Sequence, residues 1–114
     1  MKRNYNDYIN DIIDAIDKIE SFTKGMSYKK FMKDAKTIFA VTKALEIIGE
    51  ASTKIPAEVK SKYPKIPWKL MTGMRNKLIH EYFGVDTKVV WETVKKDIPF
   101  IKPHIKEVLN GLQT

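Results

Sequence analysis

The chain has 114 residues, a length that fits one domain, and its 21 Lys plus Arg outweigh 14 Asp plus Glu to give a formal net charge of +7. With 43% hydrophobic and 31% charged residues it reads as a globule, and the lack of Cys excludes disulfide scaffolds, zinc knuckles and thiolate nucleophiles. Two His residues, His80 and His104, are too few and too far apart for a His metal cluster, no apolar run nears the ~18–20 residues that cross a bilayer, and MKRNYNDY lacks the apolar stretch of a signal peptide, so a small basic cytoplasmic protein is expected.

The pattern is helical from the start. Tyr5, Tyr8, Ile9, Ile12, Ile13, Ile16 and Ile19 recur at three- and four-residue steps, the stripe of an amphipathic helix, with acidic residues opposite. Residues 21–27, including Gly25, read as a turn. Ser27 is then an N-cap for a second, longer helix running to about Ser52. The apolar residues of that helix, from Phe31 to Ile48, cover more than one face, which predicts a central position. Pro56, Pro64 and Pro67 break the next stretch, with room for one short helix beginning at Pro56. A further helix begins near Pro67 and extends to about His80, with Gly84 near its end. Asp86 caps the next helix, and Asp97 with Pro99 is expected to restart a final one through Leu112. No strand alternation or internal repeat is visible, so the fold class is all-α, a bundle of four to five helices.

The charge is unevenly spread. Residues 1–22 hold three basic and five acidic residues, net −2, so the other 92 carry +9. Only Arg3 and Arg75 are arginines; the other 19 basic residues are lysines. A lysine-rich surface is either merely solvated or attracts phosphates without regard to sequence, and charge alone does not decide between them.

The helix after Pro67 carries the candidate chemistry. At 100° per residue, Trp68, Met71, Met74, Leu78, Ile79 and Tyr82 share one arc, and Arg75 falls inside it. A guanidinium cannot shed its charge, so Arg75 either pairs with a carboxylate, with Glu50 and Glu46 as candidates, or faces an interface where an anion binds. Asn76 and His80 lie one turn apart on a neighbouring face with Gly73 near them, and a glycine inside a helix suggests close approach of a backbone or ligand. Lys is the default cation here, so Arg75 suggests use of its planar fork on phosphate. Histidine moves a proton near neutral pH. Together they supply the parts of a ribonuclease that needs no metal.

Arg75-Asn76-Lys77-Leu78-Ile79-His80-Glu81-Tyr82 resembles the R-x-x-x-x-H-x-Y motif of HepT-like proteins in the HEPN superfamily. The resemblance takes in E-I-I-G-E-A at 46–51, the Pro-broken segment before P-W at 67–68, E-Y-F-G-V-D at 81–86 and V-W at 90–91, so that residues 1–114 read as a single HEPN domain. It implies a homodimer with the active cleft at the subunit interface. Arg75 and His80 are about 140° apart around one helix, which suits a cleft built from two helices related by a dyad.

By the same resemblance, the activity implied is that of an endoribonuclease toxin of a toxin–antitoxin module. His80 would assist attack of the RNA 2′-hydroxyl, Arg75 would stabilise phosphate charge in the transition state, and Asn76 would orient the phosphate or the imidazole. Glu50 would support Arg75. Neither a metal nor a cofactor is implied. The implied partner is an MntA-type minimal nucleotidyltransferase antitoxin that transfers AMP to Tyr82 and so blocks the cleft. A competing reading makes the bundle a non-catalytic substrate-binding or regulatory subunit of a nucleotidyltransferase, with Arg75 and the lysines holding nucleotide phosphates.

Overall fold

Four of the described helices start where a side chain, that of Asn4, Ser27, Asp34 or Asp86, supplies the missing partner of a free backbone N–H. The computed structural model describes residues 4–79 and 86–112, with the side chains of 76–79 and 112 outside the described set. In α1 (Tyr5–Thr23) the Asn4 side chain accepts from the Asp7 amide, and the Asp7 carboxylate accepts from the Asn4 amide, both at 3.2 Å. This reciprocal box satisfies two donors at once. Ile9, Ile12, Ala15, Ile16 and Ile19 are buried along α1, while Asp14 and Asp17 stay exposed opposite them. Gly25, at φ 73°, takes the left-handed conformation that turns the chain.

The expected single helix from Ser27 to Ser52 is two helices. Ser27 does cap α2 (Tyr28–Met32), accepting from the Lys30 amide at 3.2 Å. That helix stops at Lys33, and α3 (Ala35–Thr53) starts afresh. The cause is Asp34. Its carboxylate accepts from the Thr37 amide at 3.0 Å and from the Thr37 hydroxyl at 2.8 Å, while its own backbone leaves the helical region at ψ 85°. An Asp side chain that offers the backbone such an alternative competes with helix continuation. The break lets α2 turn Phe31 fully into the core while α3 follows its own axis.

Helix α3 is central. Val41, Ala44, Leu45, Ile48 and Ala51 are buried, and α3 packs against α1 and α5 over its length, with α2 and α6 also in contact. Pro56 initiates the short α4 (Ala57–Lys62). Helix α5 (Trp68–Ile79) buries Trp68, Met71 and Met74, and the Trp68 indole donates to the Tyr63 carbonyl at 3.2 Å, fastening the Pro-broken segment to it. Asp86 caps α6 (Thr87–Glu92) by accepting from the amides of Lys88 and Val89. Gly84, the expected end of the preceding helix, lies outside the described residues.

The restart expected at Asp97 does not occur. Helix α6 runs through a π-helical turn, Thr93–Asp97, straight into α7 (Ile98–Leu112). Proline at 99 has no N–H for the Lys95 carbonyl, and its ring would press on that carbonyl in a regular α-helix. One wider turn, with the Ile98 amide bonded to Thr93 O, absorbs the conflict without ending the helix. Helix α7 packs on α1, and Lys102 donates to Glu20 at 2.6 Å across that contact. That hydrogen bond holds the Lys102 ammonium pKa above its ordinary value. Among the described residues the result is an all-α bundle of four long helical rods with two short helices. Among the described residues no strand is present, and no helix is long and apolar enough to cross a membrane.

The Thr37 backbone amide, and secondly its hydroxyl, hold the Asp34 carboxyl below the usual carboxylate range. A carboxyl lowered by folding stabilises the native state above its unfolded pKa, and that contribution disappears as pH falls through the lowered value. Asp34→Ala is therefore expected to lower the melting temperature at pH 7, with the gap to the native protein closing in strong acid. Thermal melts across pH by circular dichroism check this, and a gap that persists at the lowest pH contradicts it.

Candidate functional site

The candidate site forms where α5 crosses α3. Gly49 is buried on α3, and a Cβ built there would lie 2.7 Å from the Arg75 backbone nitrogen and 2.8 Å from the Arg75 Cβ. Those separations are closer than packed atoms tolerate, so only glycine lets the two helices meet at this depth. The contact fixes the height of Arg75 against α3. Glu50, the next residue along α3, accepts a hydrogen bond from Arg75 Nη1.

Arg75 is not in the core, although it falls within the apolar arc. Met71 and Met74 are buried, whereas the Arg75 side chain keeps 42% of its surface and that of Glu50 keeps 50%. The guanidinium sits at the rim, where α3 and α5 leave a depression of about 210 Å³ lined by Lys43, Glu46, Ile47, Glu50 and Arg75. Glu46, the other carboxylate considered for Arg75, is instead 3.8 Å from Lys43 Nζ. Arginine carries five N–H donors, and a bond from Nη1 to one carboxylate oxygen leaves the fork with capacity for an anion.

Of the other residues read as functional, His80 and Tyr82 lie outside the described residues, and only the backbone of Asn76, within α5, is described. His104 stands on α7 with its ring 5.4 Å from that of Phe100. No described atom lies within 4 Å of a Cβ built at Gly73, so among the described residues the close approach expected there is not made. The glycine that makes one is Gly49, inside E-I-I-G-E-A. The signal was available: a glycine costs about 0.5–1 kcal/mol relative to alanine inside a helix, and α3 was expected to be packed on several sides. Among the described residues no group of three or more His, Cys, Asp or Glu could hold a metal ion.

The two contacts that set Arg75 differ in kind, and mutation separates them. Gly49→Ala overpacks a helix crossing and is expected to destabilise the fold by about 1–3 kcal/mol. Glu50→Ala breaks a solvent-exposed ion pair and is expected to cost no more than about 1 kcal/mol. Chemical denaturation of both variants gives the two values, and equal losses would mean that the crossing at Gly49 is not tight.

The chain matches the family model described as Ribonuclease HepT-like over residues 12–108. It is 56% identical over 108 residues to "Probable ribonuclease HepT" of Thermococcus cleftensis, an alignment that covers 95% of this chain and 98% of the relative. It is 45% identical over 112 residues to "Putative RNase MJ1216" of Methanocaldococcus jannaschii, covering 98% and 93% of the two chains. No solved structure matches it significantly. A helical bundle that agrees with the R-x-x-x-x-H-x-Y resemblance, a family match over most of its length and near full-length relatives together establish that this chain belongs to the ribonuclease HepT-like family.

Proposed function

We propose that this HepT-like chain is a metal-independent endoribonuclease acting through Arg75 and His80, one domain over its whole length, and that it serves as the toxin of a toxin–antitoxin module. The observation that carries the reading is the setting of Arg75. The backbone contact at Gly49 holds the one arginine of α5 at a rim, and Glu50 engages one end of its fork. A fixed, permanently charged fork suits a phosphate that gains charge during reaction, because a group held in place needs no reorganisation in the transition state.

In the reaction His80 takes the proton of a ribose 2′-hydroxyl as its oxygen attacks the adjacent phosphorus. The bond to the 5′-oxygen breaks, and the leaving oxygen takes up a proton. The products are a cyclic phosphate and a 5′-hydroxyl. Arg75 stabilises the charge on the non-bridging oxygens, and Asn76 orients the phosphate or the imidazole.

Two copies complete the cleft. The outer face of α3 supports this reading, because it is apolar where a monomer has no need of it. Phe39 is 81% exposed and Ile47 is exposed, as is Phe22 on the neighbouring α1. A groove of about 580 Å³ between α1 and α3 involves Phe22 and Ile47, and Ile47 also lines the depression that holds Arg75. A second copy covering this face would bury the apolar side chains and bring its own motif to the same cleft. The antitoxin is a minimal nucleotidyltransferase of the MntA type. AMP added to Tyr82, seven residues after Arg75 in the motif, adds bulk and negative charge that opposes RNA.

Replacing His80 by Ala is expected to slow RNA cleavage by about 10²–10⁴-fold, the usual worth of a positioned acid–base group. Arg75→Ala is expected to cost about 10²–10³-fold, the worth of one preorganised charge-stabilising donor. Both variants should remain dimers by size-exclusion chromatography, and the native protein should cleave in EDTA. Full activity of His80→Ala, or strict dependence on added metal, overturns the mechanism. Growth inhibition by the native chain, relieved by His80→Ala, tests the toxin role.

A further inference from the structure

Among the described residues, the depression around Arg75 offers RNA no net attraction. Its described charged lining is Lys43 and Arg75 against Glu46 and Glu50, which balance. The net positive charge of the chain therefore acts from elsewhere, and one part of the surface combines it with aromatic rings. Residues 27–36 hold Lys29, Lys30, Lys33 and Lys36 against Asp34 alone, and Asp34 is engaged in capping α3. Helix α2 packs on α6, where the Tyr28 and Trp91 rings lie 6.1 Å apart and the Phe31 and Trp91 rings 5.0 Å apart. Phe31 is wholly buried and supplies the packing; Tyr28 and Trp91 keep part of their surface.

The lysines frame this pair. Lys88 and Lys95 lie three residues before and four after Trp91, both exposed, and Lys95 Nζ stands 4.7 Å from the Trp91 ring centroid. Lys95 and its neighbour Lys96 are in the π-helical turn, and both are exposed. Lys29 follows Tyr28 on α2, and Lys33 lies one turn further, both exposed. Glu92 adds one exposed carboxylate, while Asp86 is bonded to the first amides of α6. Rings with accessible surface among lysines are the parts from which proteins hold single-stranded nucleic acid: phosphates meet the ammonium groups and bases stack on the rings.

We infer that Tyr28 and Trp91, with Lys29, Lys33, Lys88 and Lys95, form a platform that grips a single RNA strand outside the cleavage cleft. Lys88 follows His80 by eight residues, so chain length alone keeps them within about 28 Å. Stacked nucleotides rise about 3.4 Å each, so the platform engages bases up to about eight nucleotides from the bond that is cut. The inference rests on the ribonuclease reading for its substrate, and its test separates the two.

The probe is an unstructured 20-nucleotide 2′-O-methyl RNA, which lacks the attacking hydroxyl, with binding read by fluorescence anisotropy over a range of salt concentrations. Lys29→Glu/Lys95→Glu is expected to weaken binding at least tenfold and to make the slope of log affinity against log salt shallower by about 1.4, two phosphate contacts at about 0.7 each. The control is Lys62→Glu/Lys65→Glu, the same charge change around α4, beyond the far end of α3, and it should leave most of the affinity and slope in place. Cleavage of the sixteen dinucleoside phosphates, too short to reach the platform, should be unaffected by Lys29→Glu/Lys95→Glu, whereas cleavage of the unmodified 20-mer should fall. Equal losses in both double variants, or a normal slope in Lys29→Glu/Lys95→Glu, overturn the platform whether or not the native chain cleaves RNA. Localised binding by a native chain that cuts no RNA supports the platform and removes the ribonuclease reading instead.

Discussion

The missing side chain at Gly49 sets how the functional half of the molecule is put together. At that point the backbone of α5 lies against α3, with the Arg75 nitrogen 2.7 Å from where a Cβ of residue 49 would be. Helices usually pack through side chains at 8–10 Å between axes; a glycine at the crossing removes one layer of that spacing. Arg75 is then placed by backbone rather than by the sum of several flexible contacts. Its exposed partner Glu50 can only bias the guanidinium, because an ion pair so open to water is weakly bound. Depth comes from Gly49 and direction from Glu50.

Helix α3 makes such a crossing possible because it is held on several sides. Its inner residues pack with α1 and α5, its start receives α2, and α6 also touches it. A helix surrounded in this way cannot retreat from a tight contact, so overpacking at Gly49 has nowhere to dissipate. The same centrality explains why the exposed side of α3 matters. It lies between the acidic face of α1 and the rim that holds Arg75, and it presents Phe39, Lys43 and Ile47 outward.

Much of this was legible in the sequence, and the failures have identifiable causes. The stripe from Tyr5 to Ile19 gave α1, Ser27 and Asp86 were read correctly as N-caps, and the multi-faced apolar pattern after Phe31 gave a central helix. The helix break at Asp34 was missed because the apolar spacing runs across it; what ends α2 is a local contest for the Thr37 amide, which periodicity does not register. The opposite error occurred at Asp97 and Pro99. A breaker signal was read as a restart, but a π turn accommodates the proline at less cost than ending a helix whose residues Val94, Ile98 and Ile101 are all buried. At the site, spacing put Arg75 in the apolar arc but could not tell the centre of that arc from its edge. The difference lies in where α5 meets α3, with the Arg75 backbone against Gly49 and its side chain left at the rim, which is a tertiary fact. Gly73 drew attention because it adjoins the motif, yet a glycine acquires meaning from what approaches it, and the approach is to Gly49.

Charge in this chain is sorted by the kind of cation. On the proposed reading the exposed lysines, among nineteen in the chain, would supply long-range attraction, which acts over about 8–10 Å at ordinary ionic strength and tolerates imprecise placement. Flexible ammonium groups suit that task. The rim needs a cation whose direction is set, and there the chain uses one of its two arginines, between the close contact at Gly49 and the carboxylate of Glu50. A balanced lining around Arg75 follows from the same logic. Were the depression itself strongly positive, a phosphate would settle in it wherever it fell along a strand. With the charges of its described lining balanced, a phosphate bound there on the proposed reading would gain only what geometry gives it, and attraction would be left to surfaces that do no chemistry.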